Sequence, residues 1–273
     1  MAGAVLSPFT RAHARQQRRR DNIRKLIMGL ARTDFRRRHP DATFGPVVVL
    51  IASYLEADNI GAVLKAVPRE VDGQLVSTLV VVDGGDDGTE EIVAQHDAFC
   101  AVLPVNMGQG VALRLGYELA DSLGAKYVIT VDADGQNDPA EIPDLLAPVL
   151  AGEADFVIAS RRLGVDETSD DLRRAGVVFF AWVINKLIGQ NLSDTSNGYR
   201  AIKIDVLRDV TLEQDQYQTA ELIISAAKRG WRLGERPTVW HPRASGESKK
   251  GHNVFFALQY ARVILRTWLR ERR

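Results

Sequence analysis

The sequence predicts an α/β fold in which a mainly parallel sheet is flanked by helices, forming a single domain with a basic helical extension at each end. Three observations predict it. Residues 47–51 (Val-Val-Val-Leu-Ile) and 79–82 (Leu-Val-Val-Val) are continuous apolar, β-rich runs, the pattern of strands buried on both faces. Such runs alternate with segments of helical period, which implies βαβ units. The charge is also segregated: residues 1–41 hold 11 Lys/Arg against 3 acids and residues 243–273 hold 8 against 2, leaving 16 basic and 30 acidic residues in 42–242.

The elements follow in order. Residues 1–41 are a basic amphipathic extension, with Arg18, Arg19, Arg20, Arg24, Lys25 and Arg36 to Arg38 around the apolar set Ile23, Leu26, Ile27 and Leu30. That spacing is helical and one-sided. It suits either an anionic membrane surface or a docked arm. The globular part, 42–252, starts with the 47–51 strand. It continues with helix 59–67, strand 79–82, helix 89–96, strand 101–103 and helix 110–123, whose Val111, Leu115, Leu119 and Leu123 share one side. Strand 127–131, helix 139–150 and strand 156–159 follow. Residues 163–170 read as a polar loop. Residues 172–188 form an apolar helix whose Phe179, Phe180 and Trp182 occupy several faces, which predicts burial in preference to a lipid-facing groove. Helix 219–229 and an extended piece at 237–240 complete the domain. Residues 253–273 form a second basic amphipathic helix, with Leu258, Val263, Ile264, Leu265 and Trp268 opposed by Arg262, Arg266 and Arg270; it either docks on the body or meets a membrane.

Composition narrows the function. A chain of 273 residues supports one large core. The single cysteine, Cys100, allows no internal disulfide and fits a reducing, cytoplasmic compartment. There is no apolar signal-peptide region and no run of 18 apolar residues, so neither secretion nor a transmembrane helix is expected. The acidic body disfavours nucleic acid as a partner, whereas the basic ends suit peripheral contact with the cytoplasmic face of a membrane.

The chemistry gathers at strand ends. Strand 127–131 runs into Asp132-Ala133-Asp134-Gly135-Gln136. Two carboxylates at the carboxyl edge of a parallel sheet suit a metal–diphosphate site; they equally suit a turn leading to the helix at Pro139. Strand one ends in Ser53-Tyr54-Leu55-Glu56 and strand two in Asp83-Gly84-Gly85, so all three can meet one ligand, with Asp83 able to accept from a base or ribose. Asn106-Met107-Gly108-Gln109-Gly110 opens a helix, where glycines admit close approach and the helix end favours anions. There is neither a dinucleotide fingerprint nor a phosphate-loop Gly-Lys-Ser/Thr motif.

These motifs, with Ala159-Ser160-Arg161, Asp194-Thr195-Ser196-Asn197-Gly198-Tyr199-Arg200 and Arg243-Ala244-Ser245-Gly246-Glu247-Ser248-Lys249, resemble family 2 glycosyltransferases of GT-A fold. Within them the chain looks like the dolichyl- or polyprenyl-phosphate mannose synthase type, over roughly residues 46–250. The resemblance implies a single catalytic domain, a nucleotide-sugar donor (GDP- or UDP-linked), and Mg²⁺ or Mn²⁺ at Asp132, Asp134 and Gln136. It implies nucleoside contacts from Asp83, Ser53, Tyr54 and Glu56, and donor or acceptor phosphate contacts from Arg161, Arg173, Arg200, Arg243, Ser248 and Lys249. Asp134, Arg161, Arg200 and Lys249 would stand nearest the reaction. The chain departs from the pattern in three places. Gly84 stands where a second Asp is usual. Gln109 replaces a lysine between two glycines, and Val177 replaces a serine.

The reaction this implies is inverting transfer of a sugar to a polyprenyl-phosphate acceptor, whose anionic oxygen needs no strong base. A soluble hydroxyl acceptor would need one, and Asp215 and Glu221 are the candidates. A nucleotidyltransferase and a non-catalytic nucleotide-sugar-binding protein are the other readings. The sequence sets neither the sugar nor the oligomeric state.

Overall fold

The computed structural model describes residues 8–168, 170–245 and 253–272. In chain order the elements are α1 (Pro8–Arg38), β1 (Val47–Ser53), α2 (Ala57–Ala66), β2 (Glu70–Val71), β3 (Gln74–Asp83), α3 (Thr89–Val93), β4 (Phe99–Leu103), α4 (Gln109–Ser122), β5 (Tyr127–Asp132), α5 (Ile142–Leu150, after a 3₁₀ turn at Pro139–Glu141), β6 (Phe156–Asp166), α6 (Asp171–Ile188), β7 (Arg200–Lys203), α7 (Ile204–Asp209), α8 (Gln218–Lys228), β8 (Leu233–Trp240) and α9 (Asn253–Glu271).

Eight strands form one sheet in the order β2-β3-β1-β5-β7-β6-β8, with β4 also paired to β3. The pairs β1–β3, β1–β5, β3–β4 and β6–β8 are parallel, whereas β7 runs antiparallel between β5 and β6. Register brings the chemistry to one edge. Ala52 lies opposite both Val81 and Asp132, and Ser53 lies opposite Val82, one residue before Asp83. Because β7 is reversed, its first residue, Arg200, starts at that same edge opposite Thr130 and Ile158.

Side chains alternate across each strand. Val47, Val49, Ile51, Val80, Val82, Ile129 and Val131 face the α2/α5 layer. Val48, Leu50, Leu79, Val81 and Val128 face α4 and the second half of α1. A third core joins α6, α8 and α9 to β6 and β7. Gly116 permits α4 to lie close on β1, since a Cβ there would come within 2.3 Å of Leu50.

Four expectations change. Residues 163–166 are strand, not loop, because Val165 and Asp166 pair with Val239 and Trp240 of β8. Helix α6 is not deeply buried: only Ala181 and Ile184 are, whereas Leu172, Phe179 and Trp182 are 66%, 56% and 58% exposed. In α1 the inward stripe is Met28, Ala31 and Phe35, while Ile23, Leu26 and Leu30 of the foreseen apolar set point outward. Finally, β7 and α7 had no expectation, and the β2–β3 hairpin was missed, although Asp72 and Gly73 both take the positive φ that such a turn demands.

Candidate active site

Asp132 ends β5 and one carboxylate oxygen accepts from the Gln109 side chain at 3.0 Å. Gly198 runs beside it: a Cβ there would come within 3.2 Å of that oxygen, so glycine keeps room around the carboxylate. Asp134 sits in the turn that follows. It accepts from the Gln136 backbone N–H at 3.2 Å and from Arg243 at 3.2 Å. The segment after β8 folds across these residues. His241 N–H donates to the Gln136 carbonyl, and the Gln136 side-chain amide donates back to the His241 carbonyl at 3.1 Å. Arg243 also pairs with Glu56, whose other oxygen accepts from Asn59. Ser245 closes the arrangement through a 2.7 Å bond to Asn59. Asp132, Asp134, Gln136, Gln109, Glu56 and Arg243 therefore form one group, assembled from four separate stretches of chain.

Asp83 lies beneath the glycine loop. Its two oxygens accept from Met107 N–H at 2.7 Å and Gly108 N–H at 2.8 Å. Burial pushes its carboxyl up to about 6, against the pull of those two donors. Gly84 is required here: its φ is +71°, and a Cβ would strike the Asn106 backbone nitrogen at 2.5 Å. Asp83 thus anchors the loop that carries Gln109. Ser53 is buried, and Tyr54 lies beside Gly85 on the same edge.

A cavity of about 1280 Å³ opens beside Asp132, with Ala52 of β1 in its lining. Its floor holds three arginines. Arg161, on β6, makes a two-pronged pair with Asp194 at 2.7 and 3.0 Å and donates to Ser196. Arg173 sits in the first turn of α6, where its backbone N–H is capped by Asp170 at 2.9 Å. Burial, and then the adjacent Arg161 charge, holds the Arg173 guanidinium below its ordinary value. Arg200 donates to the Asn197 and Thr219 carbonyls, and its third nitrogen, Nη2, is buried without a partner among the described residues. Burial lowers its pKa too. The cavity walls are apolar on one side, with Leu172, Val177, Phe179 and Phe180 of α6 and Val263 of α9. Arg20 and Arg24 of α1 and Arg262 and Arg266 of α9 line it as well.

The two candidate bases are committed elsewhere. Asp215 is held by Arg24 at 2.6 Å and Arg114 at 2.8 Å. Glu221 is fully buried; it accepts from the Glu213 and Gln214 backbones and pairs with Arg270 at 2.8 Å. Ser248 and Lys249 lie outside the described residues. Sequence reasoning missed Trp240, over which Arg161 and Arg173 both lie, and the α1 arginines at the cavity. Neither has a local signal, because both depend on elements far apart in the chain.

The sequence model of Glycosyl transferase family 2 matches residues 48–211. The chain is 33% identical over 207 residues to a dolichyl-phosphate hexose transferase of Haloferax volcanii, covering 76% of this chain and 87% of that one. It is 29% identical over 223 residues to an undecaprenyl-phosphate mannosyltransferase of Micrococcus luteus, covering 76% and 88%. Among solved structures, glucosyl-3-phosphoglycerate synthase from Mycobacterium tuberculosis, in complex with Mn²⁺, UDP and phosphoglyceric acid, superposes with a TM-score of 0.66 at 18% identity, covering 83% of this chain and 78% of that one. With its mixed α/β sheet and its strand-end carboxylates, this chain belongs to glycosyltransferase family 2 and is a glycosyltransferase of GT-A fold.

Proposed function

We propose that the chain is a metal-dependent inverting hexosyltransferase that moves a sugar from a GDP- or UDP-linked donor to a polyprenyl-phosphate lipid. The observation that carries this reading is the cavity beside Asp132. It joins two buried arginines, Arg161 and Arg200, and the half-buried Arg173 to an apolar α6 wall, and its candidate carboxylate bases are tied in ion pairs. Arginine suits phosphate oxygens. An acceptor phosphate needs no deprotonation, whereas a sugar hydroxyl would need a base that this cavity does not free. The names of the Haloferax and Micrococcus relatives point to the same acceptor class.

The residues fit a divalent cation. Asp132, Asp134 and Gln136 offer oxygen donors, and Gly198 leaves space at Asp132. Among the described residues no group of three or more His, Cys, Asp or Glu gathers. Two carboxylates are enough for Mg²⁺ or Mn²⁺, which takes one or two from protein and completes its shell with diphosphate and water. When bound, the cation supplies charge neutralisation to the leaving nucleoside diphosphate; complexes of the Mycobacterium synthase contain Mn²⁺ or Mg²⁺ with UDP. Ser53, Tyr54, Glu56 and Asp83 belong to the nucleoside side, and Gln109 orients Asp132. Arg161, Arg173 and Arg200 hold the acceptor phosphate so that one oxygen attacks the anomeric carbon. A C–O bond to the acceptor forms as the bond to the diphosphate breaks, with inversion and no proton transfer. Arg243 leaves Asp134 for the donor phosphates, with Ser248 and Lys249 joining it.

The apolar outer faces of α6 and α9 support peripheral contact with the cytoplasmic membrane face, where such a lipid resides. No helix among the described residues is long and apolar enough to cross a membrane. The test is an extraction assay with labelled GDP- and UDP-sugars, Mg²⁺ or Mn²⁺ and polyprenyl phosphate. Label is expected in the organic phase. Label that reaches only water-soluble phosphates or saccharides would overturn the lipid assignment.

A further inference from the structure

Two guanidinium groups share one indole in the cavity floor. The Arg161 carbon Cζ lies 4.9 Å from the centre of the Trp240 ring, and that of Arg173 lies 5.3 Å from it. We propose that Trp240 is a positioning residue of the acceptor site: its ring holds Arg161 and Arg173 together as a preformed seat for a phosphate group. This rests on the acceptor-phosphate reading of the two arginines and adds to it what keeps them adjacent before a ligand arrives.

The need for such a device is electrostatic. Arg161 is neutralised by Asp194 and buttressed by Ser196. Arg173 has no such pair: its backbone is capped by Asp170, but no side-chain hydrogen bond of its guanidinium exists among the described residues. It is half-buried, and Arg161 repels it more strongly than Asp166, Asp170 or Asp134 individually attracts it. In the absence of an anion, a long and flexible side chain in that position gains by swinging toward water. The π face of an aromatic ring attracts a cation without neutralising it, and indole does so best. The ring therefore opposes the swing while leaving the charge available to phosphate.

Trp240 itself is firmly placed. It is 2% exposed. As the last residue of β8 it pairs with Asp166, and its carbonyl accepts from Glu167 N–H at 3.0 Å. Gly164 lets β6 cross β8 closely at this point, since a Cβ there would come within 2.1 Å of the Thr238 carbonyl oxygen. The indole N–H is buried without a partner among the described residues. A phenyl ring would keep an aromatic face without burying that group; what the indole adds is greater volume and the stronger attraction for two cations.

The test uses full-length protein with Trp240→Phe and Trp240→Leu, titrated calorimetrically with a short-chain prenyl phosphate and separately with UDP or GDP plus Mn²⁺. Phosphate affinity is expected to fall roughly tenfold in W240L and less in W240F, with nucleotide affinity unchanged, in line with a desolvated cation–π contact. In transfer assays the acceptor KM rises while kcat changes little. Binding of the prenyl phosphate to wild type is also expected to change tryptophan fluorescence, and W240F is expected to lose that change although Trp182, Trp231 and Trp268 remain. Equal loss of nucleotide and phosphate affinity would mean that Trp240 only packs the core, and unchanged phosphate affinity in both variants would likewise overturn the proposal. If W240L does not fold, W240F and the fluorescence signal decide alone. Because these titrations read binding without transfer, a failed lipid-extraction assay with an intact Trp240 effect would refute the acceptor reading and leave the clamp standing.

Discussion

Arg243 lies between two carboxylates, pairing with Glu56 and, at 3.2 Å, with Asp134. In this arrangement a guanidinium stands where a divalent cation would seek Asp134, so a metal bound as proposed would compete with the arginine for it. Arg243→Gln is therefore expected to raise the affinity for Mn²⁺ in the absence of nucleotide. Removing one partly buried ion pair as competitor corresponds to about 1 kcal/mol, roughly fivefold. Electron paramagnetic resonance of free Mn²⁺ measures it, and equal affinity in wild type and variant would show that Arg243 does not guard the site. At this scale the motif residues that gather at the sheet edge could be picked out because the roles proposed for them fix their type: carboxylates for a hard cation, arginines for phosphate. Their partners were not. Nothing around Asp194 predicts the buried pair with Arg161, and nothing in the run Thr238-Val239-Trp240 announces a ring beneath two arginines, because those contacts arise only when β6, α6 and β8 converge.

Helix α1 is built into the fold through Met28, Ala31 and Phe35, and it reaches the site through Arg24. Arg24 and Arg114 flank Asp215, whose carbonyl accepts from Gly110 N–H at 2.8 Å. Gly108 and Gly110 lie so close to residues 214 and 215 that a Cβ on either would collide with backbone. The 213–217 loop therefore clamps the start of α4, and Gln109 with it. Arg24→Ala is expected to destabilise the protein by about 2 kcal/mol, the range for a hydrogen bond to a charged group, and to speed amide exchange at residues 108–111 and 214–218. Exchange that rises only within α1 would mean that the helix is a passive brace. Elements were legible where one physical signal dominated. The apolar runs of β1, β3 and β5 could only be strands buried on both faces, and α4 had its stripe. By contrast, β7 is Arg-Ala-Ile-Lys, too short and too charged at its ends to stand out, and β6 was cut short because its last residues depend on β8 for pairing. The apolar run of α6 was read as a core helix because hydrophobicity alone cannot say whether a neighbour exists.

Three outward apolar sets, Ile23, Leu26 and Leu30 on α1, Leu172, Phe179 and Trp182 on α6, and Leu258, Leu265 and Leu269 on α9, belong to three of the helices that line the Asp132 cavity. Arginines 20, 262 and 266 line the same cavity, while the body between the basic ends carries 30 acidic against 16 basic residues. Around this cavity seven arginines stand against four acidic residues, so positive charge is in excess beside the apolar groups, which favours an anionic bilayer over both water and a neutral bilayer. The full-length protein is therefore expected to sediment with vesicles containing anionic lipid, and much less with purely zwitterionic ones. Raising salt from about 0.1 M to 1 M shortens the screening length from about 10 to 3 Å and is expected to release most of it. Replacing Phe179 and Trp182 together by serine removes two exposed aromatic rings without opening a core cavity, so it should weaken vesicle binding at least tenfold while the melting temperature holds. Binding that ignores lipid charge, or that survives both high salt and the double substitution, would show that these helices do not form the lipid-facing side of the molecule and that the apolar wall of the cavity serves another acceptor.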